Sequence, residues 1–275
     1  MPAPSSFNSA SPTIDLLQAV ISIAVEASAT IMQVYGGEFA VEQKQDESPL
    51  TQADRQAHHI ITQRLQALTP TIPVLSEESS AEYQAFTVRS QWKTLWLVDP
   101  LDGTREFINR NGEFTVNIAL IHEHRPVLGV VSVPATQTIY SGALGLGAQR
   151  MDSHGASSIQ TQRPARSLPI VVGSRSHRGD SLDAMLTRLG PHELYAVGSA
   201  LKFCRLAEGA ADFYPRLGPT SEWDTAAGQA VVEAAGGHVF DLQGVPLRYN
   251  QRETLLNPNF MAIGDPAFAW STLLT

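Results

Sequence analysis

The sequence predicts a protein with an α+β first half and an α/β second half. Two helical patterns open the chain, and short β-rich segments separated by turn residues follow them from 114 to 151. Strands and helices then alternate after residue 168, which is typical of an α/β arrangement. Hydrophobic residues make up 43% and charged residues 17% of the 275 residues, a composition that supports a folded core and argues against disorder.

The first half opens with a segment rich in Ser, Pro and Ala, 1–12, that we predict to be a loose tail. A helix predicted at 13–35 ends at a pair of glycines, and a second helix at 54–68 ends where Pro70 cannot continue it. The longest charge-free run of the first helix, 16–25, is too short to span a bilayer. We therefore expect a buried or amphipathic helix and no transmembrane segment.

The strands of the first half are predicted from apolar and β-branched runs. A short strand at 74–76 leads into Glu77-Glu78, and the continuous apolar run 95–98 is typical of a strand covered on both faces. Antiparallel hairpins are predicted at 114–122, 126–133, 138–142 and 148–151.

A polar stretch at 152–168 is predicted to connect a first half at 13–160 with a second half at 161–275. The second half alternates strands with helices. Its strands are predicted at 170–172, 194–197 and 211–214, and its helices at 181–189, 199–208 and 225–235.

The charge balance is acidic, with 27 Asp and Glu against 19 Lys and Arg, a net charge of −8. This disfavours broad binding to a nucleic-acid polymer, which needs a basic surface, but it allows one small anionic ligand held by a local cation or a metal. The single cysteine, Cys204, excludes an intrachain disulfide and a Cys-rich zinc site. It fits a reducing cytoplasm, and the N-terminus shows no secretory pattern.

The sequence W-L-V-D-P-L-D-G-T carries the most informative acids. Asp99 ends a buried strand, and Asp102 follows after a turn at Pro100. Neighbouring carboxylates repel unless a cation neutralises them, and hard oxygen ligands suit Mg²⁺. Gly103 and Thr104 open a helical turn whose N–H groups can bind phosphate. This pattern favours metal-assisted hydrolysis of a phosphate ester, although alone it also fits a plain Asp-Pro/Asp-Gly turn.

Three further acidic groups lie at the ends of predicted elements. Glu77 and Glu78 follow a strand, where a solvated acidic turn is the alternative, and Glu78 fits a supporting or surface position better than a metal ligand. Asp54 and Asp224 lie at helix starts, where capping explains a carboxylate equally well. These groups form one metal site if they converge in a cleft between the halves.

Four motifs resemble the inositol monophosphatase superfamily of metal-dependent, lithium-sensitive phosphatases. W-L-V-D-P-L-D-G-T and W-D-x-A-A-G, with a following A-G-G, match its two signatures. S-P-L-T-Q-A-D and L-S-E-E match its two upstream motifs, and the resemblance extends in the family's order from about Leu17 to Phe260. It implies a layered α-β-α-β-α sandwich, the fold of inositol monophosphatases and fructose-1,6-bisphosphatases.

The resemblance also implies a metal site of two Mg²⁺ ions, or three if a weaker ion binds near Glu77. Asp99 would bridge two ions. One ion, with Glu77, Asp99 and the carbonyl of Leu101, would bind and acidify the attacking water. The other, with Asp99, Asp102 and Asp224, would stabilise the leaving oxygen.

The same resemblance implies roles beside the metals. Asp54 and Thr104 match a pair that orients the attacking water and helps to take its proton. The N–H groups of Gly103 and Thr104 would hold the phosphate that is cleaved.

Further strings resemble one branch of the superfamily, the bacterial 3'(2'),5'-bisphosphate nucleotidases. They lie at 105–120, 174–177, 198–204 and 214–220. This implies hydrolysis of the 3'-phosphate of adenosine 3',5'-bisphosphate to AMP and phosphate, with 3'-phosphoadenylyl sulfate as a second candidate substrate, in sulfur assimilation and nucleotide recycling.

A bisphosphorylated nucleotide needs partners for its second phosphate. Lys202 and Arg216 are candidate cations, His177 a candidate phosphate or ribose ligand, and Ser199 the start of a helix with free N–H groups. The alternatives are a solvated helix face for Lys202 and a surface loop for His177. Cys204 is expected in the core. Glu222 receives no role, and the adenine contacts are not identified.

Two other functions stay open at this point. One is an inositol-phosphate or sugar-phosphate phosphatase. The other, a non-catalytic binding or regulatory module, is disfavoured because every motif position that ligates metal is retained. We expect a cytoplasmic protein; some relatives are attached peripherally to the inner membrane, but nothing here encodes an anchor. The sequence does not decide the oligomeric state, although a monomer is favoured.

Overall fold

The structure, a computed structural model, describes residues 11–43, 49–173, 180–268 and 270–273. The helices are α1 (Ile14–Tyr35), α2 (Gln52–Leu68), α3 (Ala81–Gln84), α4 (Phe86–Arg89), α5 (Thr104–Ile108), α6 (Asp180–Leu189), α7 (Leu201–Ala207) and α8 (Glu222–Ala234). The strands are β1 (Val41–Gln43), β2 (Pro49–Thr51), β3 (Val74–Ser76), β4 (Thr94–Asp102), β5 (Thr115–His122), β6 (Arg125–Val133), β7 (Thr138–Ala143), β8 (Gly147–Asp152), β9 (Gly155–Ile159), β10 (Ile170–Gly173), β11 (Glu193–Ala196), β12 (Phe213–Arg216), β13 (His238–Asp241) and β14 (Phe260–Ile263).

Two large sheets organise the strands. The first has seven strands in the order β3-β4-β5-β6-β7-β8-β9, in which β3 runs parallel to β4 and every other pair is antiparallel. The second has five strands in the order β11-β10-β12-β14-β13, with a parallel part at β11, β10 and β12. The antiparallel hairpins predicted between 114 and 151 are confirmed.

The larger sheet is buried on both faces, as strand β4 shows. Trp96 and Val98 pack with α1 and α2, whereas Leu95 and Leu97 pack with α7 and α8 on the opposite face. Successive side chains of a strand alternate between the faces of a sheet, so a continuous apolar run serves two helical layers at once. The prediction of a strand covered on both faces is confirmed.

The smaller sheet divides its side chains in the same way. Val172 and Tyr214 face the layer of α7 and α8, whereas Val171 and Phe213 face α6 and Trp270. The order of layers is therefore α1 and α2, the seven-stranded sheet, α7 and α8, the five-stranded sheet, and α6. This is the α-β-α-β-α sandwich that the family resemblance implies, and that prediction is confirmed.

Helix α1 is apolar and long, and by length and composition it could cross a membrane, with a mean hydropathy of 1.6. Its side chains at Val20, Ala24, Ala27 and Ile31 are fully buried, and the helix packs against α2 and β6. This agrees with the buried or amphipathic helix that the interrupted apolar run predicts.

The prediction that 152–168 forms only a polar connection is wrong. Residues Gly155–Ile159 form β9, the edge strand of the larger sheet, paired antiparallel with β8. Most of β9 is exposed, so it lacks the apolar alternation that predicts a strand. The chain leaves the larger sheet at Ile159 and enters the smaller one at Ile170. The division into halves at 13–160 and 161–275 stays a prediction.

Helix α8 lies between the sheets at unusually close range. A Cβ added to Gly129 on β6 would collide with the carbonyl oxygen of Ala227 and lie 2.8 Å from the Cβ of Ala230. A Cβ on Gly142 of β7 would lie 2.8 Å from the Cα of Val231. Glycines on the sheet and small residues on the helix therefore bring the backbones together.

We expect Gly129→Ala to lower the free energy of unfolding by roughly 2–3 kcal/mol, because the added methyl group must push α8 away from the sheet. Gly173→Ala on β10 is the matched control, since no described atom lies within 4 Å of a Cβ at that position. Urea unfolding of the two variants measures the difference. Equal stability of both variants would contradict the close packing of α8.

Candidate active site

Two candidate acids lie near the C-terminal ends of two neighbouring strands of the larger sheet. Strands β3 and β4 are parallel neighbours with Ser76 opposite Val98, so Glu77 and Asp99 follow paired positions. The N–H of Glu77 donates to the carbonyl oxygen of Val98 at 3.0 Å, and Asp99 is only 1% exposed. This register places the backbone of Glu77 directly beside β4.

The strand predicted to end at Asp99 continues to Asp102, and an irregularity within it brings Asp102 to the same place. The pairing of β4 with β5 shifts register between Asp99 and Asp102, and the N–H of Leu101 donates to Asp99 Oδ1 at 3.0 Å. Asp102 Oδ2 accepts from Asn117 Nδ2 at 3.3 Å and from Thr115 Oγ1 at 3.4 Å. The strand and its bulge thus hold two carboxylates close enough for each to act on the other.

The two acids predicted at helix starts both close capping boxes. Helix α8 begins at Glu222 and not at 225, so Asp224 is its third residue and accepts from the N–H of Ser221 at 2.9 Å. Helix α2 begins at Gln52, and Asp54 Oδ2 accepts from the N–H of Thr51 at 2.8 Å. Capping and membership of the site are therefore compatible, since each cap holds its carboxylate in one orientation.

The predicted pair Asp54 and Thr104 is in contact. Thr104 Oγ1 lies 3.3 Å from Asp54 Oδ1 and 3.3 Å from the carbonyl oxygen of Leu101. Asp54 is 2% exposed, and its other oxygen is occupied by the cap at Thr51. The hydroxyl of Thr104 therefore joins the start of α2 to the turn after β4.

The acidic groups strongly perturb one another. Burial, followed by the charges of Glu77, Asp102 and Asp224, raises the pKa of Asp99 well above its usual range. Burial, followed by Asp102 and Glu77, does the same to the pKa of Asp224. Burial raises the pKa of Asp102 to about 6 although Lys202 opposes the rise. These carboxylates resist ionising together, and a bound cation would relieve that resistance.

The chemistry of the donor set fits Mg²⁺. Its members are carboxylate oxygens and one carbonyl oxygen, the hard ligands that Mg²⁺ prefers. Among the residues that the structure describes, no three Asp, Glu, His or Cys side chains already stand in ligating positions around one point. The fit therefore rests on the donor type, on burial and on the mutual repulsion of the acids.

Lys202 lies in the interior, and the alternative of a solvated helix face is wrong. It is 6% exposed, its Nζ donates to the carbonyl oxygen of Ser199 at 2.6 Å, and it lies 5.6 Å from the ring centre of Tyr214. Burial lowers its pKa to about 8, while the nearby carboxylate of Asp102 opposes that shift. The side chain is a buried cation beside the acidic cluster.

The helix predicted to start near Ser199 begins two residues later, at Leu201. Ser199 has a φ of 46°, in the left-handed region. The N–H of Ala200 bonds to Asp102, so this helix start serves a carboxylate of the site. Within the described chain, Ser199 Oγ is buried and has no hydrogen-bond partner.

A cavity of about 140 Å³ is lined by both acidic and cationic candidate residues. The acids Asp102 and Asp224 and the cations Lys202 and Arg216 line it together, and Gly103 is a further lining residue. Arg216 is oriented by a 2.7 Å hydrogen bond from Nη2 to the carbonyl oxygen of Pro219. The cavity thus brings acidic and cationic side chains to one place. His177, the remaining candidate, lies outside the described residues.

Two glutamates that the sequence analysis left without a role also shape this region. Glu106 lines the cavity, and Glu113 Oε2 accepts from the N–H of Gly198 at 2.8 Å. Both belong to the string 105–120, whose resemblance to the nucleotidase branch was the only signal for them. Cys204 is fully buried in the core, as predicted.

A model of the inositol monophosphatase family matches residues 15–265. The chain belongs to the inositol monophosphatase family. It is 53% identical over 247 residues to the 3'(2'),5'-bisphosphate nucleotidase CysQ of Salmonella typhimurium, a match that covers 89% of this chain and 98% of that protein. It is 40% identical over 261 residues to the CysQ of Haemophilus influenzae, covering 94% of this chain and 96% of that one.

The fold agrees with a solved member of the inositol monophosphatase family. The crystal structure of CysQ from Bacteroides thetaiotaomicron superposes with a TM-score of 0.80 and 40% sequence identity, covering 91% of this chain and 97% of that one. The family membership predicted from four motifs is therefore confirmed. The matched range 15–265 includes every candidate site residue.

The raised carboxyl pKa values predict how Mg²⁺ affects stability. The folded metal-free protein keeps protons on these acids that the unfolded chain releases, so its stability falls as the pH rises from about 4 through the pKa of Asp102, about 6. Mg²⁺ binds the ionised form. We expect saturating Mg²⁺ to raise the free energy of unfolding by roughly 2–3 kcal/mol near pH 7.5 and by less than about 1 kcal/mol near pH 5.

Urea unfolding with Mg²⁺ and with EDTA at each pH measures this effect. Asp99→Asn should abolish the stabilisation, whereas Asp15→Asn, at an exposed position in the first turn of α1, should keep it. An equal gain from Mg²⁺ at both pH values would show that the acidic cluster does not hold the ion.

Proposed function

We propose that this protein is a Mg²⁺-dependent phosphatase that converts adenosine 3',5'-bisphosphate to AMP and phosphate. The observation that carries the proposal is the cavity that the acids Asp102 and Asp224 and the cations Lys202 and Arg216 line together. The acids suit a metal-bound phosphate, and the cations suit a second anionic group. The relatives named as bisphosphate nucleotidases, up to 53% identical, support the same substrate.

The ions would be held by the carboxylates of Glu77, Asp99, Asp102 and Asp224 together with the carbonyl oxygen of Leu101. Mg²⁺ bound there supplies positive charge that acidifies water and stabilises a developing oxyanion. The protein contributes the rigid placement of these ligands at two strand ends and in a capping box. We propose two ions, with a third if a weaker site near Glu77 is filled.

Asp54 and Thr104 can take the proton of the attacking water. Thr104 Oγ1 donates to Asp54 Oδ1, so its oxygen lone pairs are left to accept a hydrogen bond from water. As the water oxygen attacks phosphorus, its proton passes through Thr104 Oγ1 to Asp54 Oδ1. The bond from phosphorus to the ribose 3'-oxygen breaks, and that oxygen takes up a proton from solvent.

The cations of the cavity can recognise the rest of the nucleotide. Lys202 Nζ donates to the carbonyl oxygens of Ser199 at 2.6 Å and Val197 at 3.5 Å, which leaves one N–H for a phosphate. Ser199 Oγ, buried and without a partner among the described residues, and the guanidinium of Arg216 supply further polar groups at the cavity. We propose that these residues, together with Gly103 at the cleaved phosphate and His177, bind the substrate. 3'-Phosphoadenylyl sulfate carries the same 3'-phosphate and is our second proposed substrate.

We also propose that the activity is cytoplasmic. The substrate is a water-soluble nucleotide, and the single cysteine, Cys204, is buried in the core with no role in a disulfide. The long apolar helix α1 packs on α2 and the larger sheet.

Side-by-side kinetics test the proposed function. We expect kcat/KM for adenosine 3',5'-bisphosphate to exceed that for inositol 1-phosphate by roughly 10- to 100-fold, since hydrogen bonds to a charged second phosphate contribute about 1.5–3 kcal/mol. EDTA and Asp99→Asn should each abolish hydrolysis, and Mg²⁺ should restore the EDTA-treated enzyme. Preference for inositol 1-phosphate would overturn the nucleotide assignment, and activity unaffected by EDTA would overturn the metal mechanism.

A further inference from the structure

A buried hydrogen-bond path joins the segment after Glu77 to the first turn of α8, which carries Asp224. We propose that Arg89, Asn250 and Glu222 on this path are positioning residues that set the spacing between the Glu77 side and the Asp224 side of the site. The inference rests on the proposed function, because it concerns ions held between those two sides.

Arg89 in α4 is the centre of the path. It is 0% exposed, and its Nε donates to the carbonyl oxygen of Gln84 at 2.8 Å. Nη1 donates to Asn250 Oδ1 at 2.9 Å, and Nη2 donates to the carbonyl oxygens of Arg252 at 2.9 Å and Glu253 at 2.6 Å. A planar guanidinium that donates in several fixed directions holds its partners at set distances, which a lysine cannot do.

The path begins at the backbone of Glu77. Gln84 Nε2 donates to the carbonyl oxygens of Glu77 at 2.9 Å and Ser79 at 3.0 Å. Gln84 therefore joins the turn that follows β3 to Arg89, because its side chain bonds the turn and its carbonyl oxygen accepts from Arg89. One candidate ligand thus sits at one end of the path.

The path ends at the first residue of α8. The N–H of Asn250 donates to Glu222 Oε2 at 2.7 Å, and Asn250 Nδ2 returns a 2.7 Å hydrogen bond to the carbonyl oxygen of Arg89. Glu222 is 0% exposed, and its own N–H donates to the carbonyl oxygen of Leu255 at 2.8 Å. Asp224 follows Glu222 by two residues in the same helical turn.

The location of these groups points to positioning and not to substrate contact. In the described part of the chain, neither Arg89, Asn250, Glu222 nor Gln84 lines the cavity. An ion held by ligands from two separate elements needs those elements at a fixed distance, and groups that orient ligands strongly affect metal affinity. Glu222 is a buried carboxylate 3.4 Å from Arg252 Nη2 and near the charge of Arg89, and such a group is costly unless its geometry is kept. The path supplies a direct link between the two elements.

Two substitutions of Glu222 separate shape from hydrogen bonding. Glu222→Leu removes the acceptor for the N–H of Asn250 at similar volume, whereas Glu222→Gln keeps an oxygen acceptor. Mn²⁺ binding to the metal-free protein is measured by isothermal titration calorimetry. We expect Glu222→Leu to weaken Mn²⁺ binding by about tenfold or more and Glu222→Gln by less than about threefold.

Asn250→Gly provides an independent variant. Asn250 has a φ of 56°, which glycine adopts without strain, and the backbone N–H to Glu222 is retained. The side-chain bonds to Arg89 and a 3.4 Å bond to the carbonyl oxygen of Trp92 are lost, and we expect roughly tenfold weaker Mn²⁺ binding. Arg166→Lys is the control, because Arg166 pairs with the buried Asp212 at 2.8 Å in the five-stranded-sheet region. It should lower the melting temperature without changing the affinity for Mn²⁺.

The outcomes distinguish this inference from the proposed function. Wild-type affinity for Mn²⁺ in folded Glu222→Leu or Asn250→Gly overturns the positioning role, whatever the substrate is. Weaker binding in both variants, with Glu222→Gln near wild type, supports it. Failure of the wild-type protein to hydrolyse adenosine 3',5'-bisphosphate while it binds Mn²⁺ refutes the proposed function only. If Glu222→Leu does not fold, Asn250→Gly alone decides.

Discussion

Several buried carboxylates lie close enough together to repel one another, and the fold must hold each of them in place. Burial and the neighbouring charges of Glu77, Asp102 and Asp224 together raise the pKa of Asp99. A fold can keep such a group only if other contacts hold each acid in place and if a cation neutralises them in the working state. The acids are accordingly attached to rigid points: two paired strand ends and the first turns of helices α2 and α8.

The central layer links this site to the core. Helix α8 contributes small residues to its contact with the larger sheet, where Gly129 allows close approach, and it presents Asp224 at its N-terminus. The buried path through Arg89 ties that N-terminus to the segment after Glu77. Packing of the middle of the helix and hydrogen bonding at its start therefore hold Asp224, one of the proposed metal ligands, in place.

The cations inside the cavity explain how an acidic protein can bind a polyanion. The net charge of −8 describes the whole chain, but Lys202 and Arg216 line the cavity together with the acids. Their charge and that of bound metal set the local potential. The acidic excess noted in the sequence thus says little about the substrate.

Much of this arrangement could be predicted from sequence, because motifs and apolar runs are local signals. The W-L-V-D-P-L-D-G-T string located Asp99 and Asp102 at a strand end, and the continuous apolar run 95–98 predicted burial on both faces. Signals that depend on tertiary context failed. The exposed strand β9 has no apolar alternation, and the burial of Lys202 depends on α7 lying between two sheets.

The exact first residue of a helix is also difficult to predict from sequence. Asp54 and Asp224 looked like residues at the beginning of a helix, but each is the third residue of its helix and reaches back to cap it. The sequence pattern of a capping box is short, so its position is ambiguous by a few residues. Strands β13 and β14 were not predicted, and their pairing depends on the distant β12.

Anomalous diffraction from crystals grown with Mn²⁺ shows whether the acidic cluster holds the ions. We expect manganese peaks in contact with Asp99 and with at least two of Glu77, Asp102 and Asp224, and with the carbonyl oxygen of Leu101. Manganese bound elsewhere on the surface, with these carboxylates left without an ion at saturating Mn²⁺, would refute the proposed metal site.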